Sequence, residues 1–323
     1  MKIEILGAET MGARSLCCYV ETKDTKILID PGVSLTPWRF GLKPHLYELA
    51  ASRLIRKRIL NRASDADAVV LSHYHFDHYT PAFPRLYDWS DETTATKIYS
   101  GKTIFAKSNS NNINYSQKKR SYYLYERKDC KIHEADGSIY KNLTFSTPVF
   151  HGEKDSKLGY IIMTVIDDNG ERFVHASDCQ CFLETTIEMI IDYKPTIVLT
   201  SGPPLYLAQI EKGSIEAASR NIAELSKHIP TLIIDHHLTR SERYGEFLTK
   251  AVSASSKDNH KIYTAAEFMQ LKPCLLESRR KELHEKIPLP EDWHERFANK
   301  DEKVMDEIER IEDNILHDNL LIN

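Results

Sequence analysis

Short runs of branched and apolar residues open the chain, each bounded by Gly, Asp or Lys. KIEIL, SLCCYVET and KILIDPG read as three strands. Between 45 and 62 the pattern changes: Leu46, Leu49, Leu54 and Leu60 recur among charges at helical spacing. In DADAVVLSH the apolar residues Ala68, Val69, Val70 and Leu71 follow one another, as in a buried strand. Residues 84–142 are less regular. SNSNNINYSQKKRSYYLYERK is polar, aromatic and locally basic, with a helix predicted in its second half, and 84–142 reads as an insertion or lid. Strands return in LTFSTPVFH and LGYIIMTVIDDNGERFVHASD, where DDNG between two strand-like runs predicts a hairpin.

After Asp178 the chain alternates. A helix over 182–193 leads to the strand TIVLTSG, one over 214–227 to TLIIDHH, and one over 241–253 to HKIYTAAEF. Such alternation defines an α/β layered domain. Strand signals stop near 271. In the charged tail Val304, Ile308, Ile311 and Ile315 form a helical stripe, too short for a coiled coil and suited to docking on the parent domain. The predicted organisation is a domain over 1–270 and a C-terminal helical extension over 271–323.

Composition narrows the class. The 323 residues are 41% hydrophobic and 28% charged, as in soluble globular proteins. The net charge of −4 provides no global field for a general nucleic-acid binder. The six cysteines form no CxxC ribbon and no disulfide framework. No apolar run approaches a membrane span, and no basic run followed by an apolar stretch opens the sequence. The expectation is a cytoplasmic protein with no membrane partner.

The chemistry concentrates in LSHYHFDHYTP, which places His73, His75, Asp77 and His78 directly after a strand, in a chain with 14 histidines. His151 follows TPVF, Asp178 follows FVHAS, and His236 and His237 follow TLIID. All stand at strand ends, where α/β proteins build sites. Imidazole nitrogen and carboxylate oxygen suit zinc, and also manganese or iron. Counting one of His236 and His237, seven such groups are too many for one tetrahedral ion and suit two. His73 and His75 can grip one ion with His151. Asp77 and His78 can grip another with His236 or His237, and Asp178 can bridge them.

This series, with LIDPG at 28–32, resembles the metallo-β-lactamase superfamily over about residues 1–270. More closely, LGAETMGARSLCCYVETKDTKILIDPGVSL with SHYHFDHYTP resembles an archaeal family of predicted metal-dependent hydrolases, a likeness that implies no particular substrate. The resemblance implies an α/β fold, a four-layer αββα sandwich with the site along one edge. Many members carry Gly-Gly after the first motif. Here Thr80 and Pro81 stand there, which argues against thioester and β-lactam substrates.

Other residues are weighed on the same footing. Asp30 is expected to accept a hydrogen bond from a ligand histidine. Strand alternation places His236 and His237 on opposite faces, and HLTR resembles the last motif of the RNA-processing branch, favouring His237 as the ligand. Arg53, Arg56, Lys57, Arg58 and Arg62 read as a solvated helix face, or else as a phosphate-holding one. Lys118, Lys119, Arg120, Tyr122, Tyr123 and Tyr125 suit stacking on bases or packing as a lid. Cys179 and Cys181 are expected to be buried and structural.

The expected activity is a metal-dependent hydrolase using a hydroxide held by two divalent ions, with zinc foremost and manganese or iron as alternatives. Asp77 would orient that nucleophile. The leaving group would take its proton from water or from whichever of His236 and His237 is not a ligand. The expected substrate is a small phosphodiester, ester or lactone. The alternatives are a nuclease of the RNA-processing branch, with RNA as partner, and a non-haem iron oxidoreductase on the same fold.

Overall fold

The structure, a computed structural model, describes residues 1–252 and 260–318, with backbone alone at 316–318. The predicted helix end at Ser253 and residues 319–323 of the predicted extension lie outside the described residues. Six strands form the first sheet in chain order: β1 (Lys2–Ala8), β2 (Leu16–Glu21), β3 (Lys26–Ile29), β4 (Ala68–Leu71), β5 (Thr103–Ala106) and β6 (Lys131–Glu134). The first three form an antiparallel meander, and β3 to β6 run parallel.

The second sheet contains β7 (Ile139–Tyr140), β8 (Leu143–Phe145), β11 (Thr164–Asp168), β12 (Glu171–Ser177), β13 (Ile197–Ser201), β14 (Thr231–Asp235) and β15 (Lys261–Tyr263). It is antiparallel from β7 to β12 and parallel from β12 to β15. A separate pair, β9 (Val149–Phe150) and β10 (Tyr160–Ile161), lies outside both sheets. The predicted hairpin is β11–β12: Asp168 pairs with Glu171, and Asn169 (φ 54) and Gly170 (φ 89) both take the left-handed backbone of a type I′ turn.

The helices are α1 (Leu46–Asp65), α2 (Glu92–Tyr99), α3 (Tyr115–Tyr125), α4 (Glu184–Asp192), α5 (Lys212–His228), α6 (Tyr244–Val252), α7 (Ala265–Phe268), α8 (Arg280–Lys286), α9 (Trp293–Ala298) and α10 (Glu302–Asp318). The alternation of side chains along the second sheet divides two cores. Phe173, Leu199 and Ile233 join Val69, Phe105 and Leu28 between the sheets. Val174, Val198, Leu232 and Ile234 face the other way, onto Ile187 of α4 and Ile222 and Leu225 of α5. With α1 against β1 and β3, the chain is a four-layer αββα sandwich carrying C-terminal helices.

Two expectations change. Residues 84–142 are not an insertion: they supply β5 and β6 to the first sheet and β7 to the second. Their short strands lie between polar loops, so no long apolar run marks them. The part that stands off the sheets is α3 with its flanking loops. The basic run of α1 is neither a solvated face nor a phosphate site. Arg56 is buried and donates to the carbonyls of Pro31 and Asp88. Arg62 pairs with Glu4, while Arg53 and Lys57 pair with Glu312 of α10. The apolar stripe of α10 accordingly faces inward, with Val304 and Ile308 buried. No helix among the described residues is long and apolar enough to cross a membrane.

Candidate metal centre

The donors collect where strands end. Asp30 follows β3, His73 stands just beyond β4, His151 follows β9, Asp178 follows β12 and His236 follows β14. The turn after β4 is tied by His78 N and Tyr79 N, which both donate to the His75 carbonyl at 2.9 and 2.8 Å. Gly32 lets the β3 loop approach it: a Cβ there would lie 2.4 Å from His78 N. Thr80 donates to the Pro31 carbonyl and accepts from Arg56 at 2.6 Å, locking the two loops together.

Two donor groups result. His73, His75, His151 and Asp178 bring ligand-type atoms within 4.8 Å of one another, and so do Asp77, His78 and His236. Asp178 stands between the groups. Its Oδ2 is 3.0 Å from His151 Nε2, 3.2 Å from His78 Nε2, 3.1 Å from His237 Nε2 and 3.7 Å from His73 Nε2. Its Oδ1 is 3.7 Å from His236 Nε2.

His73, His78, His151 and His236 are held by polar neighbours, which set which ring nitrogen faces the centre. Ser72 Oγ lies 2.9 Å from His73 Nδ1, and Asp30 Oδ2 2.8 Å from His78 Nδ1. Asp30 also accepts from Ser72 N at 2.7 Å and from Ser177 Oγ at 3.3 Å. Gln180 Nε2 is 3.3 Å from His151 Nδ1, and Glu9 Oε2 is 2.6 Å from His236 Nδ1. Arg240 pairs with Glu9 and lies 3.3 Å from Asp77 Oδ2. Asp30, Ser177, Gln180 and His236 all have positive φ, the kind of backbone strain that collects at functional sites. Ser72, Glu9, Gln180 and Arg240 carry no spacing signal in the sequence, because they reach the centre from four separate segments.

Charge in the centre is tightly constrained. Burial, with His78 and His75 beside it, holds the His73 pKa well below that of a free imidazole. Burial and His151 push His75 down to about 3. Burial opposes charge on His78 too, but Asp178 and Asp30 outweigh it and hold that pKa well above normal. Burial likewise disfavours an ionised Asp178, yet His78, His236 and His237 keep its pKa well below the usual carboxylate range.

These residues fit divalent cations. His73 Nε2, His151 Nε2 and Asp178 Oδ1 are buried and make no hydrogen bond among the described residues. Buried polar atoms are normally satisfied, and nitrogen and oxygen lone pairs converging in this way are satisfied by a metal ion.

His236 and His237 do not alternate across a strand. Residues 236–240 form a 3-10 turn and His236 has φ 57, so both rings reach Asp178. His236 falls within the Asp77–His78 group, both histidines form a further donor group with Asp178, and His237 also lines the cavity that opens from the centre. Burial and Arg240 hold the His237 pKa well below normal. Cys179 and Cys181 are buried; Cys179 Sγ lies 3.1 Å from Thr200 Oγ1 and Cys181 Sγ 3.5 Å from the Ser201 carbonyl.

The cavity has a volume of about 460 Å³. His75, Asp77, His151 and His237 line its floor side, with Phe76, Tyr206 and four arginines around them. Such a volume holds a small molecule.

An αββα sandwich with histidine and aspartate donors at its strand ends defines a class, and the comparisons agree with it. The model of the beta-lactamase superfamily domain matches residues 25–199. A UPF0282 protein of Thermococcus gammatolerans is 39% identical over 294 residues, covering 88% of this chain and 96% of its own. One of Methanosarcina mazei is 36% identical over 306 residues, covering 95% and 99%. A solved structure described as a metal-dependent hydrolase of the beta-lactamase superfamily is 14% identical, covers 81% of this chain and 94% of its own, and superposes with a TM-score of 0.44. The chain belongs to the beta-lactamase superfamily and, within it, to the UPF0282 proteins.

Proposed function

We propose that this protein is a metal-dependent hydrolase that holds two divalent ions, zinc foremost, and cleaves a small phosphodiester, ester or lactone. The observation that carries the reading is the position of Asp178, whose Oδ2 lies 3.0 Å from His151 in one donor group and 3.2 Å from His78 in the other. His73, His75 and His151 would hold one ion and Asp77, His78 and His236 the other, with Asp178 shared. Ions bound there supply Lewis acidity and a water whose pKa is lowered toward about 7.

The chain's own residues do the rest. Asp77 lines the cavity; burial opposes its charge, but His236 and His78 outweigh that and hold its pKa well below normal. As an anion it accepts a hydrogen bond from the attacking water and orients it. His237 lines the same cavity and would offer an N–H to the leaving oxygen in place of its 3.1 Å contact with Asp178 Oδ2. The cavity's volume of about 460 Å³ and the net charge of −4 favour a small molecule over RNA.

The test is elemental analysis of protein purified without added metal, together with a screen of model phosphodiesters, esters and lactones. Two ions per chain and turnover in one substrate class are expected. One ion or none after reconstitution with zinc or manganese defeats the two-ion reading. Iron with no turnover in any class would point to the oxidoreductase instead.

A further inference from the structure

Four arginines line the cavity: Arg14, Arg85, Arg120 and Arg240. Three are neutralised. Arg14 makes two hydrogen bonds to Glu277, at 2.6 and 2.7 Å; Arg240 pairs with Glu9, and Arg85 with Asp88. Arg120 makes no ion pair among the described residues. Its Nη1 donates to the Tyr74 carbonyl at 3.2 Å, and its guanidinium lies over the Phe76 ring, 4.4 Å from the centroid. Arg85 lies over the same ring at 3.7 Å. Two guanidiniums thus share one aromatic ring, and Asp88 is ion-paired with only one of them, Arg85. Burial works against the charge on Arg120, as does Arg85, while the carboxylates of Asp77 and Asp88 support it without pairing with it.

Arg120 is also held in place. Asn114 caps α3 by accepting from Gln117 N at 2.8 Å. The buried Gln117 side chain accepts from Tyr74 N at 3.2 Å and donates to the Leu158 carbonyl at 2.6 Å. The helix is therefore tied to the backbone between His73 and His75 and to a second wall of the cavity. Lys118 and Lys119 of the same helix are exposed. An arginine fixed before binding loses little conformational entropy when an anion docks, and its planar fork matches an oxyanion in two-point contact.

We propose that Arg120, held over Phe76, is the anion-recognition residue of this cavity, and that the substrates carry an oxyanionic group, a phosphate or a carboxylate, which it binds. This deepens the hydrolase reading and rests on it for the word substrate, but the anion site is measurable separately.

The experiment titrates the full-length purified protein with phenyl phosphate, benzoate and phenol by calorimetry, and compares R120Q, R120K and K118Q. The aryl anions should bind more tightly than phenol. R120Q should weaken the preferred anion at least tenfold, R120K should restore part of the loss, and K118Q, an equal charge change on the outer face of α3, should leave affinity unchanged. The two anions tell a phosphate from a carboxylate group. Coincident melting curves for R120Q and wild type show that the fold is kept, and R120K serves where they differ.

With an active substrate class in hand, the ratio of kcat/KM for a charged and a neutral ester should fall at least tenfold in R120Q, chiefly through KM. Equal anion affinity in R120Q and wild type, or equal loss in K118Q and R120Q, overturns the proposal. So does an oligoribonucleotide that binds more tightly than phenyl phosphate and depends as much on Lys118 as on Arg120, an outcome that would put RNA along the outside of α3. Failure to hydrolyse any ester would defeat the hydrolase reading and leave the calorimetric result to decide Arg120.

Discussion

Replacing Gly32 with alanine should damage the centre without touching a donor. A Cβ on Gly32 would stand 2.4 Å from His78 N, 2.5 Å from Asp77 C and 2.5 Å from His78 C. Ordinary carbon contacts begin near 3.5 Å, so the two backbones must part by about 1 Å. Neither is free to move. Pro31 O accepts from Arg56 at 3.1 Å and from Thr80, while Asp30 holds Ser72 N at 2.7 Å and His78 Nδ1 at 2.8 Å. Overpacking typically costs 1–3 kcal/mol, and two rigid backbones put G32A near the upper end, about 3 kcal/mol. For a domain this large that lowers Tm by roughly 5–10 °C. Displacing Asp77 and His78 by more than about 0.5 Å also spoils their donor geometry. G32A should therefore lose the ion assigned to Asp77, His78 and His236, and retain more of the one assigned to His73, His75 and His151. Elemental analysis and thermal melting measure both effects. G213A, where nothing lies within 4 Å of the added atom, is the control. Two ions per chain in G32A and a Tm within about 2 °C of wild type would refute the reasoning.

Asp178→Asn should lower occupancy of both ions and turnover by several orders of magnitude, whereas His151→Ala should empty mainly one; two ions and near-native turnover in D178N would end the shared role of Asp178. Asp30→Asn removes the anion that orients His78 and should weaken metal affinity about 10–100-fold, read by competition with a chelator. His45 caps α1 by accepting from Tyr47 N through Nδ1, and its Nε2 lies 2.9 Å from the Ile287 carbonyl, an arrangement that requires a neutral ring. Burial pushes its pKa down to about 4. The depressed value means that its contribution is complete above the unfolded pKa near 6.5 and is lost as pH falls from about 6.5 to about 4, at most about 3 kcal/mol. His45→Asn, which caps without titrating, should flatten that part of the urea-stability profile, and an unchanged slope would assign the loss elsewhere. Removing residues after 290 uncovers the face of α1 that Val304 and Ile308 protect. It should lower Tm while leaving metal content intact, and loss of both ions would tie the tail to the centre.

The sequence by itself determined the class of fold and the order of the donors. Alternating β and α patterns express local periodicity, and metal-ligand residue types are few and were packed into eleven residues of LSHYHFDHYTP. The Asn-Gly turn of β11–β12 was legible for the same reason, since only such residues accept positive φ at both central positions. Tertiary structure decided what depends on distant segments meeting. Residues 84–142 read as an insertion because such short strands carry little periodicity of their own, and the pairing that makes them part of the first sheet comes from partners, β4 for β5 and β5 for β6. The α1 basic run found its partners in Glu4, Asp88 and Glu312. Both His236 and His237 reach Asp178 because a left-handed residue follows β14, which strand alternation could not anticipate. Glu9, Gln180, Arg240 and the unpaired guanidinium of Arg120 over Phe76 were invisible for the same physical reason: a hydrogen bond or a ring contact is a relation between side chains in space, and these side chains are brought together by packing, not by neighbouring positions in the chain.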